Sequence, residues 1–169
     1  MAHKIPVSVL VVMYSADGDF LLIERADKAG YWQSVTGSLD AVDEAPMLAA
    51  VRELHEETGL AAQPDATCTV QRATTAELVQ PGFVRAWPHS EQYEIFEHWR
   101  HRYGPGVTHN TEHWFAVCLP AGTQPVLAPR EHTAWRWCSA AEAAGLCFSP
   151  NNSRAILALA ELLATTHRQ

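Results

Sequence analysis

Residues 44–58 carry helical periodicity with two faces that need different surroundings. Met47, Ala50, Val51 and Leu54 fall on one stripe at spacings of three and four residues, which must be buried against another layer. The adjoining run Arg52-Glu53-Leu54-His55-Glu56-Glu57 places three glutamates at the same spacings on a second face. Exposed like charges so arranged repel by roughly a few tenths of a kcal/mol per pair. Asp43 is the expected N-cap, and Gly59 the left-handed residue that closes the C-terminus. Such a helix needs a sheet beneath it, and the rest of the chain reads mostly as strands.

Val7 to Tyr14, rich in valine and leucine, reads as a strand buried on both faces, and Phe20 to Arg25 as its hairpin partner. Tyr31 to Val35 is a short extended piece leading into a loop, Thr36-Gly37-Ser38. Further strands are expected at Thr67–Arg72, Gln92–Trp99, Glu112–Leu119 and Thr133–Cys138, the last with Trp135 and Trp137 on one face. Residues 73–90 contain two prolines, a glycine and no steady period, and read as a long loop and a probable insertion. Ala140–Leu146 and Ser153–Thr166 are helical, with Asn151 and Asn152 as cap candidates for the second. The pattern is a single α+β domain over residues 1–169, a mixed sheet with helices packed on it.

A net charge of −7 disfavours nucleic-acid backbones and anionic membranes as partners. An acidic chain that handles a polyphosphate needs bound cations at its site. The four cysteines show no C-x-x-C spacing and read as free thiols. The N-terminal apolar run is a first strand, not a leader, and no stretch approaches eighteen apolar residues. A cytoplasmic protein, monomer or homodimer, is expected.

Glu53 and Glu57 lie one helical turn apart and can aim at one small volume, with Glu56 beside them. Hard divalent cations are held by one or two carboxylates together with substrate phosphates. Taken alone, three helical glutamates are more often a solvated face, with Arg52 paired to Glu56. The longer string GSLDAVDEAPMLAAVRELHEETGL, Gly37 to Leu60, changes that balance. It resembles the Nudix box, G-x5-E-x7-R-E-U-x-E-E-x-G-U with U a bulky aliphatic residue. Glu44, Arg52, Glu53, Leu54, Glu56, Glu57, Gly59 and Leu60 all match, but six residues rather than five separate Gly37 from Glu44. Asp43 holds the five-residue position. Glu44 keeps the seven-residue spacing to Arg52, so a loop one residue longer is expected.

The resemblance implies a Nudix-type α/β/α sandwich with a mixed β-sheet and a hydrolase dependent on magnesium, or manganese in its place. It makes Glu53 and Glu57 the principal metal ligands, Glu56 a further ligand or a residue that supports them, Arg52 the residue that orients a glutamate, and Gly37 the point of close backbone approach. Outside the box, KIPVSVLVV near the start, YWQSVTGS (31–38) and YEIFEHWRHRYGPGVTHNTEHWF (93–115) resemble one branch of that family. That branch removes pyrophosphate from dihydroneopterin triphosphate in folate synthesis, leaving the monophosphate. By position it implies substrate contacts at Lys4, Arg25, Thr36, Tyr93, Glu94, Ile95, Phe96 and Ser149, and a metal-holding carboxylate at Glu131. Each has a plainer reading: Lys4 as a solvated lysine, Ile95 and Phe96 as core, Glu131 as a strand-end carboxylate. The basic run Arg100-His101-Arg102 suits a triphosphate or pairs with surface acids. A general (deoxy)nucleoside triphosphate pyrophosphatase and a non-catalytic nucleotide-binding module are the competing functions.

Overall fold

The computed structural model describes residues 2–167. Its spine is β1 (Val7–Ser15), a run of valine, leucine and methionine buried on both faces along nearly its whole length. β1 pairs antiparallel with β2 (Asp19–Arg25) near its end and with β4 (Val35–Ser38) near its start, and parallel with β7 (His109–Leu119) on its other edge. The short β3 (Trp32–Gln33) and β8 (His132–Ser139) pair with β2, while β6 (Phe83–Glu94) and β5 (Gln63–Pro64) extend the sheet beyond β7. Both strand orientations occur, as expected for a mixed sheet.

Alternation along β1 divides the core in two. Val9, Val11 and Met13 pack with Ala50 and Leu54 of α1 (Pro46–Thr58) on one side. Leu10, Val12 and Tyr14 pack on the other with Ala143 of α3 (Ala140–Leu146) and Ile156 and Leu159 of α4 (Pro150–His167). Helices on both faces make the expected α/β/α sandwich. The stripe read from the sequence is the face α1 buries, and Gly59 ends it at φ 71° with its N–H donating to the His55 carbonyl.

Several expectations fail for local reasons. α1 begins at Pro46 rather than Glu44, and its N-cap is Ala45, not Asp43, which is exposed. Proline at N1 needs no capped N–H and already has a helical φ. Thr36-Gly37-Ser38 is not a loop: it pairs with Leu10, Val9 and Ser8 of β1. Thr67–Arg72 is not a strand, because Asp65 Oδ1 accepts from the Thr67 and Cys68 N–H groups and folds the segment into a turn. Residues 73–90 are not a loop throughout. They hold α2 (Thr75–Leu78), with a Thr74–Glu77 capping box, and most of β6. The register of β6 on β7 shifts between Ala86 and Ser90, around Pro88, which cannot donate to the ladder; that shift breaks the period. The strand expected to reach Trp99 stops at Glu94, and a 3-10 helix follows (Glu97–Arg102). α4 starts at Pro150, so Asn151 and Asn152 lie inside its first turn with their side chains buried, not at its cap.

Candidate active site

Asn152 shows how the cleft wall is pinned. Its Oδ1 accepts from the Ser34 N–H and its Nδ2 donates to Ser34 Oγ, each at 2.8 Å, tying α4 to the β3–β4 corner. Between that corner, the C-terminal half of α1, the end of β6 and the start of β7 lies a cavity of about 1060 Å³. Arg52, Glu53, Glu56, Glu57 and Glu131 line it, as do Lys4, Arg25, Thr36, Tyr93, Glu94, Ile95, Phe96 and Ser149. Residues scattered from position 4 to position 149 thus share one cleft.

Its acidic end is built on α1. Arg52 gathers the carboxylates: Nε and Nη2 donate to the two oxygens of Glu44 at 2.9 and 3.0 Å, and Nη1 to Glu53 at 2.8 Å and Glu56 at 3.2 Å. Nη2 also donates to the Ser38 carbonyl at 3.2 Å, anchoring the guanidinium to β4. Glu44, rather than Asp43, is therefore the glutamate Arg52 holds. That bond keeps Glu44 below the usual carboxylate range.

Glu53 lies directly over Gly37. A Cβ at position 37 would stand 2.0 Å from Glu53 Cδ, so any residue but glycine displaces this carboxylate. Burial pushes Glu53 up to about 7, against the lowering effect of Arg52. Glu57 is deeper, 4% exposed, and its Oε2 has no hydrogen-bond partner among the described residues. Burial first, then the charges of Glu53 and Glu131, raise its pKa well above the ordinary value. A buried carboxylate oxygen without a donor is costly, and a cation removes that cost. Glu57, the exposed Glu131 and the buried His132 bring ligand atoms within 4.8 Å of one another. Oxygen donors, an orphaned buried oxygen and a glycine-shaped recess together fit a divalent cation.

Cations and aromatic rings form another wall. Asp27 accepts from Arg25 Nε and Nη2, both at 2.8 Å, and from Arg102 Nη2 at 3.1 Å. The Arg25 bond is the main reason Asp27 titrates down at about 2. Arg25 Cζ sits 4.5 Å from the Trp99 ring centroid, and its Nη1 donates to Gln33 Oε1 at 3.3 Å. Gln33 Nε2 donates in turn to Thr36 Oγ1 at 3.1 Å and approaches His132 Nε2 at 3.4 Å. Burial, then Arg25, hold His132 neutral, with its pKa down to about 4. Partial desolvation, then Arg102 and Arg25, lower the pKa of Lys4 at the cleft mouth. Phe96, 43% exposed, lies 6.1 Å from Phe148, which stacks on Tyr31 at 4.7 Å. Tyr93 contributes a hydroxyl that accepts from Asn110, Glu94 is bonded to Arg100, and Ile95 is buried.

Of the basic run, only Arg102 lines the cleft; Arg100 is taken up by Glu94 and the Ile95 carbonyl. Sequence reasoning did not single out Asp27, Gln33, Trp99, Phe148, Glu112 or His132. Most lie far along the chain from the box, and only strand register brings them to it. Asn151 and Asn152 gave a signal, as polar residues opening a helix, but it pointed to capping.

The NUDIX domain profile matches residues 4–159. The chain is 40% identical over 155 residues to the dihydroneopterin triphosphate diphosphatase of Escherichia coli (strain K12), covering 91% of each chain. It is 36% identical over 157 residues to the protein of that name from Haemophilus influenzae, covering 92% of this chain and 88% of that one. The solved structure of the E. coli dihydroneopterin triphosphate pyrophosphohydrolase superposes with a TM-score of 0.74 at 39% identity, over 92% of this chain and 95% of that one. A Listeria monocytogenes NUDIX hydrolase structure, 22% identical over 95% of this chain and 96% of that one, shares the fold with a TM-score of 0.70. With the Arg52-centred glutamates standing where the box places them, the chain belongs to the Nudix hydrolase family.

Proposed function

We propose that the chain hydrolyses dihydroneopterin triphosphate to dihydroneopterin monophosphate and pyrophosphate, with magnesium as cofactor. One observation carries the reading. A single cleft joins a carboxylate cluster fit for divalent cations to a cationic and aromatic wall, in a chain alike along nine-tenths of its length to enzymes named for that substrate. Nudix hydrolases generally use a divalent metal, and the donor set of oxygens favours magnesium over softer ions.

Glu53, Glu56, Glu57 and Glu131 would hold the metal, which when bound supplies positive charge to the phosphate oxygens and acidifies water. Arg52 keeps Glu53 and Glu56 in place by charge-assisted hydrogen bonds. Lys4, Arg25 and Arg102 offer cations to the phosphates; Asp27 fixes the two guanidinium planes, so that little is left to order on binding. Water adds its oxygen to phosphorus, the bridging P–O bond breaks, and pyrophosphate leaves. The proton that water loses passes to a carboxylate of the cluster. Phe96 presents an exposed apolar face to a flat ring.

The test is an initial-rate panel with magnesium on dihydroneopterin triphosphate, dATP, dGTP, 8-oxo-dGTP and ADP-ribose, with pyrophosphate and phosphate measured separately. A kcat/KM at least about tenfold higher for the pterin, with pyrophosphate released, is expected. A flat profile or a nucleotide preference overturns the substrate, and release of single phosphates overturns the reaction.

A further inference from the structure

On the α4-facing side of the sheet, the cleft floor holds a buried carboxylate that the hydrolysis does not use. Glu112 of β7 is 4% exposed and lines the cleft, opposite Ser8 in the strand register. Its Oε1 accepts from the Trp114 indole N–H at 3.2 Å, which fixes the plane of the carboxyl. The nearest cation, Arg154, bonds instead to Glu91 and to Asn151 Oδ1, at 3.3 and 2.5 Å. Asn151 is 7% exposed and neighbours Glu112. Because Arg154 holds its oxygen, its Nδ2 faces the Glu112 carboxyl, near enough to favour its charged form but without completing a hydrogen bond among the described residues. Burial is the main reason the Glu112 carboxyl is pushed up to about 7. A buried acceptor pair beside an unpaired buried donor is an arrangement that a ligand completes.

A carboxylate has about four lone-pair sites, so Glu112 can take two donors beyond Trp114. We propose that Glu112 reads the substrate ring: its carboxylate accepts from the ring N–H and the amino group of a 2-amino-4-oxopyrimidine edge, and Asn151 Nδ2 donates to the 4-oxo oxygen. The assignment rests on the pterin reading and adds to it the residue that selects the 2-amino-4-oxo edge, which guanine shares, against rings that lack it. A pterin offers that donor–donor–acceptor row. Adenine offers one exocyclic donor beside a ring acceptor, and a lumazine puts an oxo group where the pterin carries its amino group. Either would set an acceptor against a buried carboxylate, the kind of mismatch that binding sites reject most strongly.

The test compares kcat/KM for dihydroneopterin triphosphate and dATP in the wild-type chain and in Glu112→Gln, with magnesium and pyrophosphate detection. The pterin value should fall about 10–100-fold, as for loss of a bidentate pair, and the dATP value should hold or rise, since the glutamine amide can donate to the adenine ring nitrogen. Equal losses on both substrates, the signature of a merely structural carboxyl, overturn the assignment. So does a pterin preference that survives in the variant. A wild-type chain with no pterin preference overturns the substrate reading and this assignment with it. Should the variant not fold, the wild-type chain decides alone: a 6-substituted pterin should inhibit at least about tenfold better than the matching lumazine. Equal inhibition by the two overturns the assignment.

Discussion

Replacing Glu57 by glutamine separates what this residue costs the fold from what it gives the site. Glu57 is buried, its Oε2 is unpartnered, and Glu53 and Glu131 add like charge. Glutamine has nearly the same shape and keeps an acceptor for the Thr36 N–H that Glu57 uses. The folded-state pKa of Glu57 is raised, so its contribution to stability is present at low pH and lost as pH rises through that value. In metal-free buffer near pH 4, where the carboxyl is largely protonated both folded and unfolded, the two proteins should therefore differ by less than about 1 kcal/mol. At pH 9 the wild type has to ionise a buried, repelled carboxyl, and the variant should be the more stable by about 1–3 kcal/mol.

Magnesium reverses the order. A ligand at about 100 times its Kd adds roughly 2.7 kcal/mol to a protein that binds it only when folded. For a chain of this size, that corresponds to about 5–10 °C in Tm. The wild type should gain this shift and Glu57→Gln most of it lose, while turnover falls about a thousandfold, or roughly 4 kcal/mol in the barrier. Thermal melts in chelator and in magnesium, with initial rates on the same samples, read all three quantities. A variant that loses more than about 2 kcal/mol in chelator refutes the reasoning, since Glu57 would then be structural. So does a variant that keeps its magnesium shift and a tenth of its turnover.

Gly37→Ala should leave Tm nearly unchanged, because the atoms a Cβ meets belong to the movable end of Glu53, yet lower kcat about a hundredfold by displacing that carboxylate; a normal kcat would show that Glu53 tolerates the shift. Asn152→Ala removes two buried hydrogen bonds and strands the Ser34 N–H, so urea melts should show a loss of about 2–3 kcal/mol. The Glu112 carboxyl, desolvated and facing Glu91, with Trp114, Asn151 and Arg154 opposing, is raised from its ordinary value to about 7. Its contribution to stability is full below about pH 4.5 and disappears as pH rises through 7. Wild-type stability should fall by at most about 3 kcal/mol more than that of Glu112→Gln between pH 5 and pH 8, and parallel pH profiles would contradict the shift.

What could be read from the sequence was what a single element decides. The periodicity of α1 fixes Glu53, Glu56 and Glu57 on one face and Met47, Ala50 and Leu54 on another, whatever the rest of the chain does. The seven-residue spacing of Glu44 and Arg52 brings the two side chains together across the loop, which is why the extra residue before Glu44 is absorbed there and Asp43 turns outward. Strand content failed where composition hid the pairing. Thr36-Gly37-Ser38 has turn residues but lies in register with β1, and there the glycine serves the approach of Glu53 rather than a bend.

The rest of the site could not be read from local pattern, because register between distant strands makes it. Ser8 faces Glu112 through more than a hundred residues of sequence separation, and Arg25 meets His132 at the irregular end of the β2–β8 ladder. Resemblance named the cleft residues where a relative's motif happened to mark them, but it gave no reason for Glu112, whose neighbours Asn110 and Trp114 look like ordinary strand residues. The two kinds of site residue also differ in what they cost. The box carboxylates repel one another, a cost that a cation relieves, whereas Glu112 is held by an indole beside the Asn151 amide. A cleft built this way can change its ring preference by altering the register-made wall while the helix-made cluster, and the phosphate chemistry it supports, stays as it is.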